Sequence, residues 1–184
     1  MKLNFPQIVN HIIMVSKKTL SRPMNPTPFS SCLAKQAQVK LLFSTCTTAE
    51  KKYEKLIELG RTLPPFPEER KIPENLVKGC QSQMYVYSTY VNGKCFFQAH
   101  SEALISAGLV ALLLLVYNEE PPEAILSCPP LFLEELQLHQ SLSPSRSNGL
   151  ASLLLRLKQE ALKFLIPNSI KKGKEDAPGS RPSP

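Results

Sequence analysis

The 184-residue chain has no tryptophan, only seven glycines, and no CxxC pair among its five cysteines, Cys32, Cys46, Cys80, Cys95 and Cys128. A zinc ribbon needs closely paired ligands, and a disulfide framework needs an oxidising compartment and usually an even count. An odd number of cysteines without a secretory signal and cleavage pattern argues against both and predicts reduced thiols. A membrane span is missing as well: 16 uncharged residues lie between Glu102 and Glu119, short of the roughly 20 that cross a bilayer. No phosphate-binding glycine loop, nucleophile elbow or metalloprotease helix occurs, so the ordinary enzyme classes have no positive support.

Acidic residues are absent before Glu50, while six Lys and Arg precede it, so the formal charge of +7 is unevenly spread. From Glu50 to Ile166, 12 Lys and Arg face 13 Glu, a net of −1, and the tail from Pro167 carries +2. A nearly neutral folded part predicts no nucleic-acid partner, and no membrane partner is expected. Prolines number 17, roughly twice the ~5% average, and they mark extended or unstructured stretches. Residues 1–31 read as a flexible basic arm, 32–166 as the folded domain and 167–184 as a disordered tail. The acid-free arm has the composition of an organellar transit peptide, but a disordered extension or an over-extended start is the preferred reading. Reduced thiols suit the cytoplasm, or a plastid or mitochondrion if the arm is a targeting segment.

Helical spacing of Leu33, Ala37, Leu41 and Leu42 predicts a first helix. Thr47 with Glu50 forms a capping pair for a second, whose inner face is Tyr53, Leu56 and Ile57 and whose stop is Gly60. Pro64, Pro65, Pro67 and Pro73 then impose an extended connection. From Gln83 to Val91 the run Met84, Tyr85, Val86, Tyr87, Thr89 and Tyr90 is rich in β-branched and aromatic residues, Asn92-Gly93 supplies a tight turn, and Cys95 to Gln98 return as the partner strand. Ser101 is placed to cap an apolar core helix running to about Tyr117. Short helices are expected after Pro121-Pro122 and over Leu131 to Leu138. Ser143-Pro144 opens a last long helix with Leu150, Leu153, Leu154, Leu157 and Ala161 on one stripe. Helices, antiparallel strands and helices in that order give an α+β domain with helices packed on one side of a small sheet.

Gly79-Cys80-Gln81-Ser82-Gln83 places a thiol where the Pro-broken connection meets the first strand. Gly79 permits an unusual backbone turn, and Gln81 and Ser82 are polar company for a cysteine. Spacing alone leaves a reactive thiol and an incidental buried one both open. Cys46 and Cys95 read as small packing residues, Cys128 has no charged neighbour in sequence, and Cys32 stands at the edge of the arm. His100 and His139 show no metal-ligand spacing and read as surface or half-buried.

Taken with Leu142-Ser143-Pro144-Ser145-Arg146-Ser147-Asn148-Gly149-Leu150, the Cys80 segment resembles the two signature segments of the SufE family of sulfur-acceptor proteins. The likeness runs from about Lys40 to Lys163 and takes in Tyr53 to Gly60, the hairpin turn and Ser101-Glu102-Ala103. It implies an IscU-like fold, possession of no cofactor, and an accessory role beside a PLP-dependent cysteine desulfurase (SufS-like), whose PLP is the desulfurase's own. Carried over residue by residue, Cys80 is the persulfide-forming acceptor. Gly79, Gln81, Ser82 and Gln83 support it, Glu102 is the acidic residue near its loop, and Arg146 is an arginine of desulfurase contact. A cluster scaffold (SufB-like) is the implied downstream acceptor, an IscU-like iron-sulfur or metal-binding scaffold is the alternative function, and a homodimer is open. Tyr85, Ser141 and His100 depart from the family's usual Trp, His and Asp, and none of these removes the thiol. With only Lys78 as a nearby base, Cys80 is expected to be activated within a complex, on a loop that tucks inward when idle.

Overall fold

The expected order of helices, hairpin and helices is the order found in a computed structural model, which describes residues 29–166. Helices α1 (Ser30–Leu42) and α2 (Ala49–Arg61) precede two short 3-10 turns, Glu68–Arg70 and Pro73–Asn75. Strands β1 (Met84–Val91) and β2 (Lys94–Ser101) follow. Helices α3 (Leu104–Tyr117), α4 (Pro122–Ser127), α5 (Leu131–Glu135), α6 (Leu138–Ser141) and α7 (Pro144–Leu165) complete the described chain. The expected arm and tail lie outside the described residues except for Phe29 to Ser31, which pack with the domain. Phe29 is buried, and the Ser31 hydroxyl donates to Glu120 at 2.6 Å.

The hairpin forms because its turn chemistry is local. Asn92 and Gly93 take φ of 50° and 80°, the left-handed pair that a two-residue turn between twisted strands requires. That turn fixes the antiparallel register from Met84↔Ser101 to Val91↔Lys94. Alternation then puts Met84, Val86, Cys95, Phe97 and Ala99 on one buried face, against α3 and α7. The other face meets the Pro-rich connection: Phe66 lies beside Tyr85 and half-buried His100, and Arg70 sits 4.2 Å over the Tyr87 ring. The helices thus occupy one side of a two-stranded sheet.

Helix α3 is the centre of the core. Its residues Gly108 to Leu113, with Val116 and Tyr117, are all buried, as an apolar run bracketed by glutamates should be. Helix α2 crosses it at glycines: a Cβ on Gly108 would lie 2.1 Å from the Leu56 carbonyl oxygen, and one on Gly60 2.8 Å from Gly108 N. Gly60 is therefore a helix-crossing residue inside α2 rather than its stop. Long-range contact claimed it, which local capping rules cannot foresee. On α7 the expected stripe Leu150, Leu153, Leu154, Leu157 and Ala161 is buried as anticipated.

Other local expectations shift. The cap of α2 is Thr48, whose side chain accepts from Lys51 N, so the Thr47–Glu50 pair is displaced by one residue. Ser101 ends β2, and α3 starts after Ala103 with no side-chain cap. The helical piece over Leu131 to Leu138 is broken by Gln137, at φ 52°. Helix α1 is turned from the anticipated face: Cys32, Gln36 and Val39 are buried, with Phe43 just beyond, while Leu41 is 74% exposed. A buried glutamine wins that face because its two ends satisfy polar groups of another segment, a cause that hydrophobic periodicity does not register.

Candidate functional site

Residues 78–83 form a short loop whose ends are tied together. Val77 N donates to Met84 O at 2.8 Å, and both side chains are buried, so the loop projects from a fixed base. Gly79 adopts φ 89°, which L side chains resist, and its Cα faces Ser152 on α7 so closely that a Cβ would sit 2.8 Å from Ser152 Oγ. This turn directs Cys80 inward toward α7.

Half-buried Cys80 lies with its Sγ 3.5 Å from the Gly149 carbonyl oxygen and 4.0 Å from Met84 Sδ. The thiol donates to that carbonyl. A carbonyl acceptor stabilises S–H and would repel S⁻, and burial pushes the Cys80 pKa up to about 11. Arg146 shares the cavity, yet desolvation alone accounts for this direction.

A cavity of about 330 Å³ opens beside the sulfur. Its walls combine Met84, Leu109 and Leu150 with the hydroxyls of Ser82, Ser106 and Ser145. Ser82 donates to Ser106 at 3.1 Å, which holds the far side of the loop to α3. Arg146 stands at the start of α7, its guanidinium 5.8 Å over the Tyr53 ring, and the Tyr53 hydroxyl donates to the Ser141 carbonyl. Helix α2 thereby fixes the entry to α7 and the arginine on it.

Of the residues singled out from the sequence, Cys80, Gln81, Ser82 and Arg146 converge on the cavity wall. Gly79 acts through the backbone turn. Gln83 and Glu102 are exposed and do not line the cavity; they are joined through their backbones, Glu102 N to Gln83 O at 3.3 Å. Sequence reasoning missed Ser106, Ser152 and the carbonyl of Gly149. Ser106 left a trace, as the one serine in a helix α3 otherwise built of apolar and aromatic residues, and Gly149 lies inside the quoted second segment.

The other thiols are internal. Cys46 and Cys95 are buried as packing residues. Cys32 is wholly buried rather than at the edge of an arm, and Cys128 acquires through space a charged neighbour, Lys158, that its sequence surroundings lack. Among the described residues, no three His, Cys, Asp or Glu side chains come together as a metal-ligating group.

Comparison with known proteins decides the family. Residues 37–161 match the family model described as SufE, Fe-S metabolism associated domain. The chain belongs to the SufE family. An uncharacterized SufE-like protein of Synechocystis is 36% identical over 137 residues, covering 74% of this chain and 86% of that one. SufE-like protein 1, chloroplastic/mitochondrial, of Arabidopsis thaliana is 34% identical over 151 residues, covering 82% of this chain. The chain spans only 39% of that Arabidopsis protein. The solution structure of a hypothetical protein from Thermus thermophilus shares the fold, with a TM-score of 0.60 and 29% identity over 71% of this chain and 96% of that one. Membership of SufE places the chain in iron-sulfur metabolism as a sulfur-acceptor protein.

Proposed function

We propose that Cys80 is a covalent sulfur carrier which takes sulfane sulfur from the persulfide of a PLP-dependent cysteine desulfurase, stimulates that enzyme, and delivers the sulfur for cluster assembly. The observation that carries this reading is the tied loop that turns a lone half-buried thiol onto a cavity in a SufE-family chain. In the transfer, the Cys80 thiolate attacks the terminal sulfur of the donor persulfide. The donor S–S bond breaks, the donor cysteine leaves as thiolate, and Cys80 becomes the persulfide. The Cys80 proton passes to solvent or to the departing thiolate, so no oxidant is required.

A thiol with a pKa of about 11 is ionised to only about one part in ten thousand at neutral pH. The free protein is therefore a poor nucleophile. Activation requires that the sulfur leave the Gly149 carbonyl and meet groups of the desulfurase, with Arg146 at the cavity mouth as a contact and Gln81 and Ser82 as support for the loop. Exposed Glu102 and Gln83 belong in this reading to the docking surface around the loop. The carrier is not itself an enzyme and uses no cofactor of its own; the downstream acceptor is a SufB-like scaffold. We assign its work to the cytoplasm, with import assays on residues 1–31 as the test against a plastid or mitochondrial address. The separation of Cys80 from the other thiols gives no support to a cluster-holding role.

The test is incubation of the full chain with a cysteine desulfurase, PLP and free cysteine, followed by mass spectrometry of peptides. The Cys80 peptide should gain one sulfur atom, and Cys80→Ser should lose transfer and desulfurase stimulation while keeping its melting temperature. Sulfur settling on another cysteine, or delivery at full rate by Cys80→Ser, overturns the proposal.

A further inference from the structure

The Cys80 loop is held closed by few contacts. Its base is fixed, by Val77 N on Met84 O at 2.8 Å and by Glu102 N on Gln83 O at 3.3 Å. Between those ties, from residue 78 to residue 82, no backbone group is paired with another backbone group among the described residues. The side-chain hydrogen bonds of this stretch come from Cys80 and Ser82 alone. Cys80 donates to the Gly149 carbonyl at 3.5 Å, and Ser82 donates to Ser106 Oγ at 3.1 Å. A thiol is a weak donor and a hydroxyl a good one, so the tie to Ser106 is the stronger of the two.

Ser106 is an anchor set in a rigid place. It stands two residues before Gly108, where the crossing with α2 leaves no room for even a methyl group. Its hydroxyl faces the cavity from a helix otherwise made of apolar and aromatic residues, and alanine would serve that helix better. On the loop side, the Ser82 hydroxyl also lies 3.5 Å from the buried Ser101 Oγ. With the Ser82 proton given to Ser106, the Ser101 proton is the one directed at Ser82, and the three hydroxyls run in a single chain from β2 through the loop to α3.

We propose that Ser106 is a positioning residue for sulfur transfer: by accepting from Ser82 it latches the Cys80 loop closed and sets the fraction of molecules in which the thiol is presented. The inference rests on the reading of Cys80 as the sulfur carrier and adds to it the group that governs presentation. Gln83 stays tied at the base of the loop, so swinging Cys80 off the Gly149 carbonyl carries Ser82, two residues along, away from α3. The two side-chain ties therefore break together. Burial is what pushes the Cys80 thiol up to about 11, so the closed loop disfavours the thiolate and the open loop forms it readily. Arg146 is the one charged side chain on the cavity wall, and a guanidinium keeps its charge throughout this range.

The experiment begins with the full chain and no desulfurase, following alkylation of the Cys80 peptide by iodoacetamide with mass spectrometry. Ser106→Ala should raise the rate at neutral pH about 2- to 10-fold, the factor by which losing one ordinary hydrogen bond multiplies an open population. The midpoint of the pH profile should fall from about 11 by the logarithm of that factor, about 0.3 to 1 pH unit. Ser82→Ala should do at least as much, and adding Ser106→Ala to it should change nothing further, because the latch has already lost its donor. An unchanged rate and midpoint in Ser106→Ala would overturn the inference, as would a full additional factor in the double variant, the mark of an effect on α3 itself. With a desulfurase, PLP and free cysteine, the Cys80 peptide should gain its sulfur faster in Ser106→Ala, and a gain no faster than in the unsubstituted chain would overturn the role in transfer. No sulfur on Cys80 in either chain would instead sink the carrier reading, while the alkylation comparison still decides whether Ser106 holds the loop.

Discussion

Gly108 and Gly79 both sit where an added methyl group has no room, but they would strike different things. At the α2–α3 crossing the obstacle is backbone: the Leu56 carbonyl oxygen stands 2.1 Å from a Cβ on Gly108. At the Cys80 loop the obstacle is the end of a side chain, Ser152 Oγ at 2.8 Å. Backbone inside two packed helices cannot retreat without moving both, whereas a serine hydroxyl can rotate away. The crossing lies beneath the cavity, since Leu109, adjacent to Gly108, is part of its wall. The cavity therefore has a floor that does not give and a loop whose contacts can be surrendered, which suits a thiol that must be sheltered and then presented.

The largest expected effect tests the floor. Gly108→Ala gains about 1 kcal/mol of helix propensity. It must also separate two helices, and overpacking usually costs about 1–3 kcal/mol, more where backbone is the obstacle. The steric cost should win, with a net loss of about 3 kcal/mol or a chain that does not fold, read by urea unfolding. A melting temperature unchanged from the unsubstituted chain would show that the crossing yields, and the contrast with the loop would vanish.

The same contrast explains what could be read from the sequence. The hairpin turn at Asn92-Gly93, the Pro144 start of α7 and its leucine stripe were legible because each depends on residues a few positions apart. Gly60 and the buried face of α1 were not, because Gly108 and the Phe132 amide that decide them lie far along the chain. Within the site, the Gly79-Cys80 turn could be anticipated from residue types, and Arg146 from its segment. The Gly149 carbonyl that receives the thiol is a backbone atom and leaves no mark in residue identity. Glu102 was drawn in by the family resemblance alone, as an acidic residue near the cysteine loop, and the geometry leaves its side chain outside the cavity.

A smaller effect should follow at the loop. Gly79→Ala must place a side chain at φ 89°, at a cost of about 1–2 kcal/mol, and must push back Ser152. Pairing it with Ser152→Ala removes the hydroxyl and should recover the contact share of the loss but not the backbone share. Thermal unfolding of the single and double variants measures both. If the double variant is no more stable than Gly79→Ala alone, Ser152 is not what the loop closes upon.

The mildest test leaves neutral-pH stability untouched and reads the thiol itself. Burial raises the folded pKa of Cys80 to about 11, so its contribution to stability is present below about pH 9. As pH climbs from there through about 11 the unfolded chain releases the proton first, and that contribution is lost. Cys95 shifts in the same direction, so the Cys80 share is the difference between the unsubstituted chain and Cys80→Ser. Alkylation of Cys80 by iodoacetamide should accordingly accelerate about tenfold per pH unit from neutrality and level off only near pH 11. In Gly79→Ala the displaced loop should meet more water, and the midpoint should fall toward that of an ordinary thiol. A midpoint that stays near 11 in that variant would mean the loop holds its sulfur as firmly as the crossing holds its helices, leaving activation to depend on groups the partner brings to a thiol that does not move.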